Sequence, residues 1–500
     1  MLLSACGTGA KTEGDADGAV HVSAAVSNEP ETFDAVTTTD TMSYNVIVQT
    51  METLINMSPE YELEPGLAES WEQVDDVTYR FHLRQGVKFQ NGEEMKASDA
   101  VFSLKRFTDS TYMSKFSASI DPEGFVVEDD YTFTMQLKYP NADILAIMTF
   151  PPTVIISEKE FEAKNGDFSR DPSGMGTGPF KFVEWKSGEQ ITLERNENYW
   201  DGVPEIETLT FKVIQDPSTR VIELETGAVD FIYFVPCSYL ESLKANDTLV
   251  VSQYAGTTTT AFLPKVVNEP FTDIRVRQAL SYAIDRETLV SVVFGEGAQP
   301  MECVVPYGFS GYEEGMTYPY DKEKAISLLK EAGYDENNPV SFEVWIHDNS
   351  EYQKALEIIQ SMWDEVGVHI EIKVLEAAAM SAAMAANEQP TTLGAVGSAN
   401  GLSVDILSDY LARNIPPEGN GNRTNYNNPE YDALIDQAIK ESDPEKRAEI
   451  FKQCQEILLE NAICIPVFCK DIVFAQSNKL EGVELLPLNR AYFKDATIVN

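Results

Sequence analysis

Long apolar segments and basic residues are both scarce in this sequence. No uninterrupted apolar run reaches about 18 residues, although 43% of the 500 residues are hydrophobic, so no transmembrane helix is predicted. Lysine and arginine together number 37 against 81 aspartates and glutamates, for a formal net charge of -44. Such an acidic protein repels the phosphates of nucleic acids, which excludes that class of partner.

Cysteine and histidine are also rare, with six and four residues respectively. The cysteines that follow Cys6 are odd in number, which leaves at least one thiol free and excludes a full disulfide framework. The spacing of Cys454, Cys464 and Cys469 does not match a zinc knuckle, and their apolar neighbours predict buried structural thiols. The histidines lie far apart in the sequence, which disfavours a transition-metal site, so no cofactor is expected.

The common catalytic motifs are missing from the sequence. It has no Gly-x-Ser-x-Gly, no His-Glu-x-x-His, no Cys-x-x-Cys and no calcium-binding loop. The glycine-rich run at 174–180 lacks the Lys-Ser/Thr pair of a phosphate-binding loop. The sequence therefore predicts a binding protein and no enzyme. A hydrolase on the same scaffold is an alternative, which turnover of a peptide or ester by the pure protein would support.

What the sequence does contain is a large set of strand and helix patterns, most clearly over residues 64–107. Apolar and polar residues alternate over 78–84, which is typical of a half-buried strand. The Asn-Gly pair at 91–92 predicts a turn, and Ser98 is expected to cap the helix that follows. These elements predict a small α/β unit within a chain long enough for more than one domain.

Three motifs in this segment resemble the signature of extracytoplasmic solute-binding proteins of the oligopeptide/dipeptide/nickel type. They are Leu-Ala-Glu-Ser-Trp at 67–71, Tyr-x-Phe-x-Leu-Arg-x-Gly-Val-Lys-Phe at 79–89 and Ala-Ser-Asp-Ala-Val at 97–101. Further segments resemble the family in the same order along nearly the whole chain, at 174–180, 271–286, 320–334 and 426–435. Proteins of this family are the ligand-capturing subunits of ABC importers.

The resemblance implies an α/β fold of the type II periplasmic-binding-protein class. Two lobes would close on a hinge, with an extra α/β domain inserted in the first lobe. The expected division is domain I (first lobe) at 19–55, 175–262 and 478–500, domain II (extra domain) at 56–174, and domain III (second lobe) at 263–477. Residues 1–18 would form a lipobox and a tether.

Two local predictions concern the second lobe. The strand-helix-strand order over 342–372 predicts a largely parallel sheet. Asp273 is expected to cap a helix on which Val276, Leu280 and Ala283 are buried. The arginines of the same segment are expected to lie in solvent; they are Arg275, Arg277 and Arg286.

The chain begins with a segment that resembles a bacterial lipobox, Leu3-Ser4-Ala5-Cys6. Small residues before the cysteine suit a signal peptidase, and acylation of Cys6 would anchor the protein. The residues at 8–18 are small and polar, as a tether would be. The protein is thus expected outside the cytoplasm, on the outer face of the cytoplasmic membrane or in a periplasm. A chance tetrapeptide is the alternative.

The resemblance also implies candidate ligand-binding residues in the first lobe and in domain II. Thr38, Thr39 and Asp40 lie in a polar loop that borders the ligand cleft in the family. A turn that caps the following helix is the alternative for this loop. Tyr112 lies on a segment that faces the ligand in relatives, although a lone tyrosine often marks the edge of a core.

In the second lobe the candidates are Ser398, Asn400 and Asp405, all within the segment 393–407. In dipeptide-binding relatives this segment carries a Trp and an Asp whose carboxylate binds the α-ammonium group of the ligand. Here the Trp is absent and Asp405 is the only acid. Asp405 either takes that role or caps the helix that follows, and the cap is slightly favoured.

Arg413 and Arg423 follow in a loop, where either arginine is a candidate for holding a ligand carboxylate and a surface position is the alternative. The predicted function is a substrate-binding lipoprotein, expected to be monomeric. It would capture short peptides between the lobes and deliver them to a membrane permease with its ATPase. A non-peptide polar solute, such as an oligosaccharide or a metal chelate, is the alternative that the missing Trp-Asp pair favours. A receptor that binds a peptide signal without import is a further alternative.

Overall fold

The structure is a computed structural model that describes residues 20–316, 318–398, 401–419, 421–486 and 488–499. Cys6 and Asn400 lie outside the described residues, so the predictions made for them stay predictions. Within these ranges no helix is both long and apolar enough to cross a bilayer.

The strands are numbered in chain order. They are β1 (His21–Val26), β2 (Ile55–Met57), β3 (Leu63–Pro65), β4 (Ala68–Asp75), β5 (Thr78–Leu83), β6 (Ile120–Asp129), β7 (Thr132–Leu137), β8 (Phe180–Lys186), β9 (Gln190–Arg195), β10 (Thr208–Val213), β11 (Phe231–Ile232), β12 (Leu249–Tyr254), β13 (Thr258–Pro264), β14 (Ala298–Pro300), β15 (Val340–His347), β16 (Val368–Leu375), β17 (Thr391–Gly397), β18 (Ile465–Lys470), β19 (Ile472–Ser477), β20 (Leu480–Glu481), β21 (Glu484–Leu486), β22 (Arg490–Tyr492) and β23 (Thr497–Ile498).

The α-helices are α1 (Thr41–Thr50), α2 (Ala97–Asp109), α3 (Ser114–Ser117), α4 (Ile144–Ile147), α5 (Glu158–Ala163), α6 (Pro217–Glu225), α7 (Leu240–Lys244), α8 (Ile274–Tyr282), α9 (Arg286–Phe294), α10 (Lys322–Glu331), α11 (Ser350–Asp364), α12 (Ala377–Ala385), α13 (Ser403–Ser408), α14 (Pro429–Lys440) and α15 (Pro444–Glu460). Short 3-10 helices are found at Ala35–Thr37, Pro151–Thr153, Cys237–Tyr239 and Ala412–Asn414.

The first lobe is built on a mixed sheet with the strand order β12-β19-β11-β1-β10-β9-β8. Strand β1 pairs in parallel with β10 and β11, and the other pairs are antiparallel. Aromatic side chains of three separate chain segments meet on this sheet, where Phe231 contacts Phe474 and Phe493. The lobe therefore depends on residues from both ends of the chain.

Domain II contains the antiparallel sheet β4-β5-β7-β6, with α2 against β6 and β7. Tyr79, Phe81 and Leu83 of β5 are buried, which confirms the predicted alternation. Helix α2 begins at Ala97, so the prediction that Ser98 caps it is wrong. The carboxylate of Asp99 takes the capping role instead, because it accepts a hydrogen bond of 2.9 Å from the amide that precedes the helix.

The second lobe is built on the sheet β14-β18-β13-β17-β15-β16. Only β15 pairs in parallel, with β16 and β17, so the prediction of a largely parallel sheet is wrong. The reason is that β13 and β18 are the two strands that enter from and return to the first lobe. They run in opposite directions and therefore pair antiparallel.

Arginines of the second lobe are partly buried, contrary to the prediction that they lie in solvent. Asp273 does cap α8, by accepting a hydrogen bond from the amide of Arg275. Arg277 and Arg286 are each only 6% exposed. Their guanidinium groups donate to backbone carbonyl oxygens, Arg277 to that of Asn461 and Arg286 to that of Pro466. Backbone carbonyl groups at the end of α15 and in β18 thus compensate for the burial of these charges.

Two neighbouring segments join the lobes, residues 255–257 between β12 and β13 and Asp471 between β18 and β19. A Cβ atom on Gly256 would lie 1.9 Å from the carbonyl oxygen of Lys470, so only glycine fits where the segments cross. The chain thus passes between the sheets before the boundaries expected after residues 262 and 477. Accordingly β13 belongs to the second-lobe sheet and β19 to the first-lobe sheet.

The second lobe contacts domain II through a buried ion pair. Arg447 Nη1 and Nη2 donate to the two carboxylate oxygens of Asp143, and the side chains are 14% and 6% exposed. Next to the pair, the amide of Ala142 donates to the carbonyl oxygen of Ile439 at 2.9 Å. The second lobe is therefore joined to the first lobe at the crossing segments and also contacts domain II.

The five cysteines of the described chain are buried and unpaired, as predicted for structural thiols. Burial raises the pKa of Cys237 and Cys303 to about 11. It raises the pKa of Cys454, Cys464 and Cys469 to about 12.

Candidate ligand-binding site

A cavity of about 700 Å³ lies between the two lobes beside the hinge, and we refer to it as the interlobe cavity. Its walls come from the first lobe around Phe234 and from two parts of the second lobe, the start of β13 at Thr258 and Thr260 and the segment 349–352. The second-lobe wall follows the carboxyl end of β15, where loops of α/β sheets commonly bind ligands. The volume is in the range of small-molecule sites.

The start of helix α11 forms one wall of the interlobe cavity. The side chain of Asn349 caps this helix by accepting hydrogen bonds of 3.0 Å from the amides of Glu351 and Tyr352. The hydroxyl group of Tyr352 lies 3.2 Å from that of Thr260 on β13. Burial raises the pKa of Tyr352, so this phenol stays a neutral donor and acceptor.

Most of the charged side chains that line the interlobe cavity form ion pairs or hydrogen bonds with other protein groups. Lys470 forms an ion pair with Glu351, and Asp471 accepts a hydrogen bond of 2.6 Å from Gln253. Arg220 and Lys354 donate to backbone carbonyl oxygens. Three cationic side chains thus face two acidic ones, although the whole protein is strongly acidic.

Arg423 lies beside this wall and has no carboxylate partner among the described residues. Its Nη1 donates to the carbonyl oxygen of Ala395 at 3.1 Å, and the residue is half-buried. Burial lowers the pKa of His347, and the positive field of Arg423 lowers it further. The same field opposes the rise in the pKa of Tyr352 that burial causes. The guanidinium group is therefore held close to both residues while its charge is uncompensated.

The first-lobe candidates form a cap rather than an open polar surface. Asp40 accepts a hydrogen bond of 2.7 Å from the amide of Ser43 and so caps α1, which is the alternative considered above. Thr38 is buried, and its hydroxyl group donates to the carboxylate of Glu31 at 2.6 Å. Thr39 and Asp40 border a second opening that also contains Phe234.

Phe234 links this second opening to the interlobe cavity, since it lines both. Its φ is +53°, a left-handed conformation that is unfavourable for a bulky residue. Strain of this kind is common where a binding site fixes the direction of a side chain.

Ser398 and Asp405 are brought together in the second lobe. The hydroxyl group of Ser398 donates to Asp405 Oδ2 at 2.8 Å. Asp405 lies inside the first turn of α13, and the capping position is occupied by Leu402, so the prediction that Asp405 caps this helix is wrong. From domain II, the ammonium group of Lys115 lies 2.8 Å from both the Asp405 carbonyl oxygen and Asp409 Oδ1.

Burial raises the pKa of the Asp405 carboxyl to about 6 from an ordinary value of 3.8. The unfolded chain then loses this proton at lower pH than the folded protein does, so the group's contribution to folding stability falls between about pH 4 and pH 6 and stays low above that range. The contribution of Asp405 to the free energy of unfolding falls by on the order of 2 to 3 kcal/mol across this range. We expect Asp405→Asn to flatten the pH dependence of the melting temperature in this window.

Thermal unfolding across this window is the measurement for Asp405→Asn. Asp436→Asn is the matched control, because Asp436 is half exposed in an ion pair with Arg413. A wild-type slope in Asp405→Asn would mean that folding does not raise the pKa of Asp405.

Tyr112 and Arg413 do not line the interlobe cavity. Tyr112 is 59% exposed. Arg413 is about half exposed and forms an ion pair of 2.8 Å with Asp436. The sequence reasoning did not find Lys115, although this residue lies only three positions after Tyr112. It also missed Tyr352, whose amphipathic helix gives no sign that its first turn faces a cavity.

Two α/β lobes that are joined by crossing segments, with a cavity between them, are typical of a class of ligand-capturing binding proteins. A family profile described as bacterial extracellular solute-binding proteins, family 5, matches residues 62–414. The chain therefore belongs to this family of ABC solute-binding proteins, which confirms the resemblance stated above. Members are substrate-binding, non-catalytic components of transport that work with ABC permeases and ATPases.

Individual relatives cover nearly the whole chain. The glutathione-binding protein GsiB of Escherichia coli (strain K12) is 28% identical over 507 residues, which cover 99% of this chain and 96% of that protein. Among solved structures, the periplasmic binding protein DppA from Helicobacter pylori in complex with the peptide STSA is 25% identical, with a TM-score of 0.82, and covers 96% of this chain and 98% of that one.

A third relative is MoaA from Agrobacterium tumefaciens R10 in complex with mannopinic acid. It is 26% identical, with a TM-score of 0.81, and the match covers 96% of this chain and all of that one. These likenesses confirm the type II periplasmic-binding-protein fold. The proteins compared are extracytoplasmic or periplasmic, and the ligands in their names include peptides, glutathione and mannopinic acid.

Proposed function

We propose that this protein captures a small solute that carries a carboxylate, with a short peptide as the first candidate, and delivers it to the permease of an ABC transporter. The observation that carries the proposal is Arg423, a half-buried guanidinium group without a carboxylate partner in the described chain, beside the interlobe cavity. An anion that binds this half-buried cation would add a charge-assisted interaction, and a carboxylate matches the planar guanidinium fork.

The surroundings of Arg423 suit the remaining polar groups of such a ligand. Tyr352 and Thr260 offer hydroxyl groups, and Asn349 lines the same wall. Closure of the lobes would remove water from the ion pair and thereby strengthen it. Closure also changes the surface that a permease meets, so capture and delivery are coupled.

The other predicted site residues enter the proposal in secondary roles. Thr39 and Asp40 would contact a ligand long enough to extend past Phe234 into the second opening. Asp405, whose carboxylate accepts from Ser398, lines a separate cavity of about 70 Å³ beside domain II, so neither residue is assigned a ligand contact. Of the two candidate arginines, we propose that Arg423 binds the ligand carboxylate, since Arg413 already has a carboxylate partner.

We also propose that the protein acts as a monomer outside the cytoplasm, tethered by a lipid on Cys6. Its relatives act in the periplasm or outside the cell, which supports the compartment. The tether rests on the lipobox-like segment alone.

A non-peptide acid is the second candidate ligand. The segment 393–407 has no tryptophan, and the carboxylate of Asp405 is buried under Ser398. A solute without a peptide backbone, such as a sugar acid, needs neither the tryptophan nor a free carboxylate at this segment. That a relative of 26% identity is known in complex with mannopinic acid supports this candidate.

The test is to identify what the protein carries. Protein purified without denaturation is unfolded, and the released small molecules are identified by mass spectrometry. Each candidate is then added to stripped and refolded protein, because a ligand that binds only the native state raises the melting temperature. We expect a short peptide or another carboxylic acid. A stabilising ligand without an acidic group would contradict the proposal.

A further inference from the structure

We infer that Phe234 limits the length of the ligand, so that the site selects acids that fill the interlobe cavity and end at this residue. The inference rests on the proposed function and adds a specificity-determining residue to it. A longer acid would have to pass Phe234 and continue into the second opening, which Thr39 and Asp40 border. One side chain of the first lobe thus decides between short and long ligands.

Phe234 lies between the interlobe cavity and the second opening. Strand β11 pairs in parallel with β1 and antiparallel with β19. The register of these pairs, extended by two residues beyond Ile232, places Phe234 between Ser27 and Val473. Ser27 lines the second opening and Val473 lines the interlobe cavity, and within the described ranges Phe234 is the one residue that lines both. A ligand that extends from one space into the other therefore has to pass this residue.

The backbone around Phe234 is fixed by hydrogen bonds on both sides. The amide of Tyr233 donates to the carbonyl oxygen of Ala25 at 3.3 Å, and the amide of Val235 donates to that of Val473 at 3.2 Å. The left-handed φ of +53° persists because these bonds determine the path of the chain. Glycine or asparagine would adopt this conformation at lower cost than phenylalanine does. A ring that is kept here in spite of the cost is expected where its position matters for binding.

A buried arginine holds the same part of the chain. Arg220 is 4% exposed, and its Nη1 donates to the carbonyl oxygens of Ile214 and Gln215 at 2.8 and 3.0 Å. Its Nη2 lies 3.5 Å from the carbonyl oxygen of Phe234. Moving this segment would leave buried polar groups without their partners, which is costly. A clash with the ring of Phe234 is therefore not easily relieved by a shift of the backbone.

Arg423 would hold the other end of the ligand. Under the proposed function the ligand carboxylate binds this guanidinium group beside the second-lobe wall, whereas Phe234 belongs to the first-lobe wall. Units added to the ligand extend it away from Arg423, and the first-lobe wall is what they meet across the interlobe cavity. A unit that clashes with a fixed side chain is rejected, and such a clash gives specificity without any new attraction.

The experiment measures affinity against ligand length. The probes are alanine peptides from the dipeptide to the hexapeptide, with free and with amidated carboxyl groups, and lactic acid oligomers of the same lengths. Titration calorimetry gives the Kd of each for the wild type and for Phe234→Gly, in which glycine adopts the positive φ without strain. We expect the wild-type Kd to rise by at least about tenfold at one step of a series. In Phe234→Gly this step should come at a longer ligand or disappear.

The outcomes separate this inference from the proposed function. A wild-type Kd that does not depend on length, or a step at the same length in both proteins, overturns the inference. The proposed function then still stands if amidation weakens binding. Equal binding of the free and amidated peptides overturns both, because the carboxylate would then be unimportant. Absence of binding in both series also rejects both.

Two further variants distinguish the ring from general damage to the fold. Phe234→Tyr keeps a ring at this position and is the matched control, since it should retain the length at which the wild-type Kd rises. Phe234→Asn removes the ring but adopts the left-handed conformation readily, so it should behave like Phe234→Gly and takes its place if the glycine variant does not fold. General damage would weaken short and long ligands equally, which would count against the inference.

Discussion

Replacing Arg423 by glutamine is expected to raise the Kd for the natural acidic ligand by roughly 30- to 700-fold. The reason is the loss of a charge-assisted, bidentate interaction in a desolvated site, which is worth about 2 to 4 kcal/mol. Glutamine is chosen because it can still donate to the Ala395 carbonyl oxygen, to which the Arg423 side chain donates. Titration calorimetry with the co-purified ligand measures the effect.

The matched control for Arg423 is Arg413→Gln. Arg413 belongs to the same loop region but is exposed and paired with Asp436, and exposed pairs contribute at most about 1 kcal/mol. We expect its Kd to stay within about twofold of wild type. If the two variants bound equally well, Arg423 would have no role in recognition. If Arg413→Gln alone lost binding, the assignment of the two arginines would be reversed.

Replacing Arg447 by methionine is expected to weaken ligand binding by about 10- to 100-fold without any change in the groups that line the interlobe cavity. Arg447 and Asp143 form the buried ion pair between the second lobe and domain II. Removing the cation leaves the carboxylate buried without a partner, which costs about 3 to 5 kcal/mol unless the lobes separate and hydrate it. The arrangement with the lobes in contact is thereby disfavoured, and the apparent affinity falls with its population.

The double variant Asp143→Leu/Arg447→Met distinguishes this effect from general damage. Two apolar side chains replace the ion pair, and such replacements in other proteins are often neutral or stabilising. We therefore expect the double variant to recover most of the affinity that the single variant loses. Equal losses in both would show that the pair has no specific role in holding the lobes together. Small-angle X-ray scattering of the ligand-free variants would show any separation of the lobes.

The sequence predicted the elements of the fold better than their arrangement. The alternation in β5 predicts a half-buried strand, because Tyr79, Phe81 and Leu83 need a core wherever the strand is placed. The burial of Arg277 and Arg286 was not predictable in the same way. Their partners are carbonyl oxygens that lie 184 and 180 positions away in the chain, and only the folded structure brings them close.

The candidate site shows the same division between local and long-range information. The polar loop before α1 contains enough local information to suggest a cap, and Asp40 is indeed the cap of that helix. Asp405 and Lys115 are 290 positions apart, so their contact depends on how domain II meets the second lobe. No pattern within either segment reveals that contact.

The buried cysteines have a practical consequence for observing lobe motion. Thiols with pKa values near 11 or 12 are almost entirely protonated at neutral pH, and thiol reagents attack the thiolate form. The five cysteines of the described chain should thus remain unmodified under mild labelling. With Cys6 replaced, one cysteine introduced on each lobe could carry a fluorescent dye, and the transfer efficiency between the dyes would report lobe closure in solution as each ligand is added.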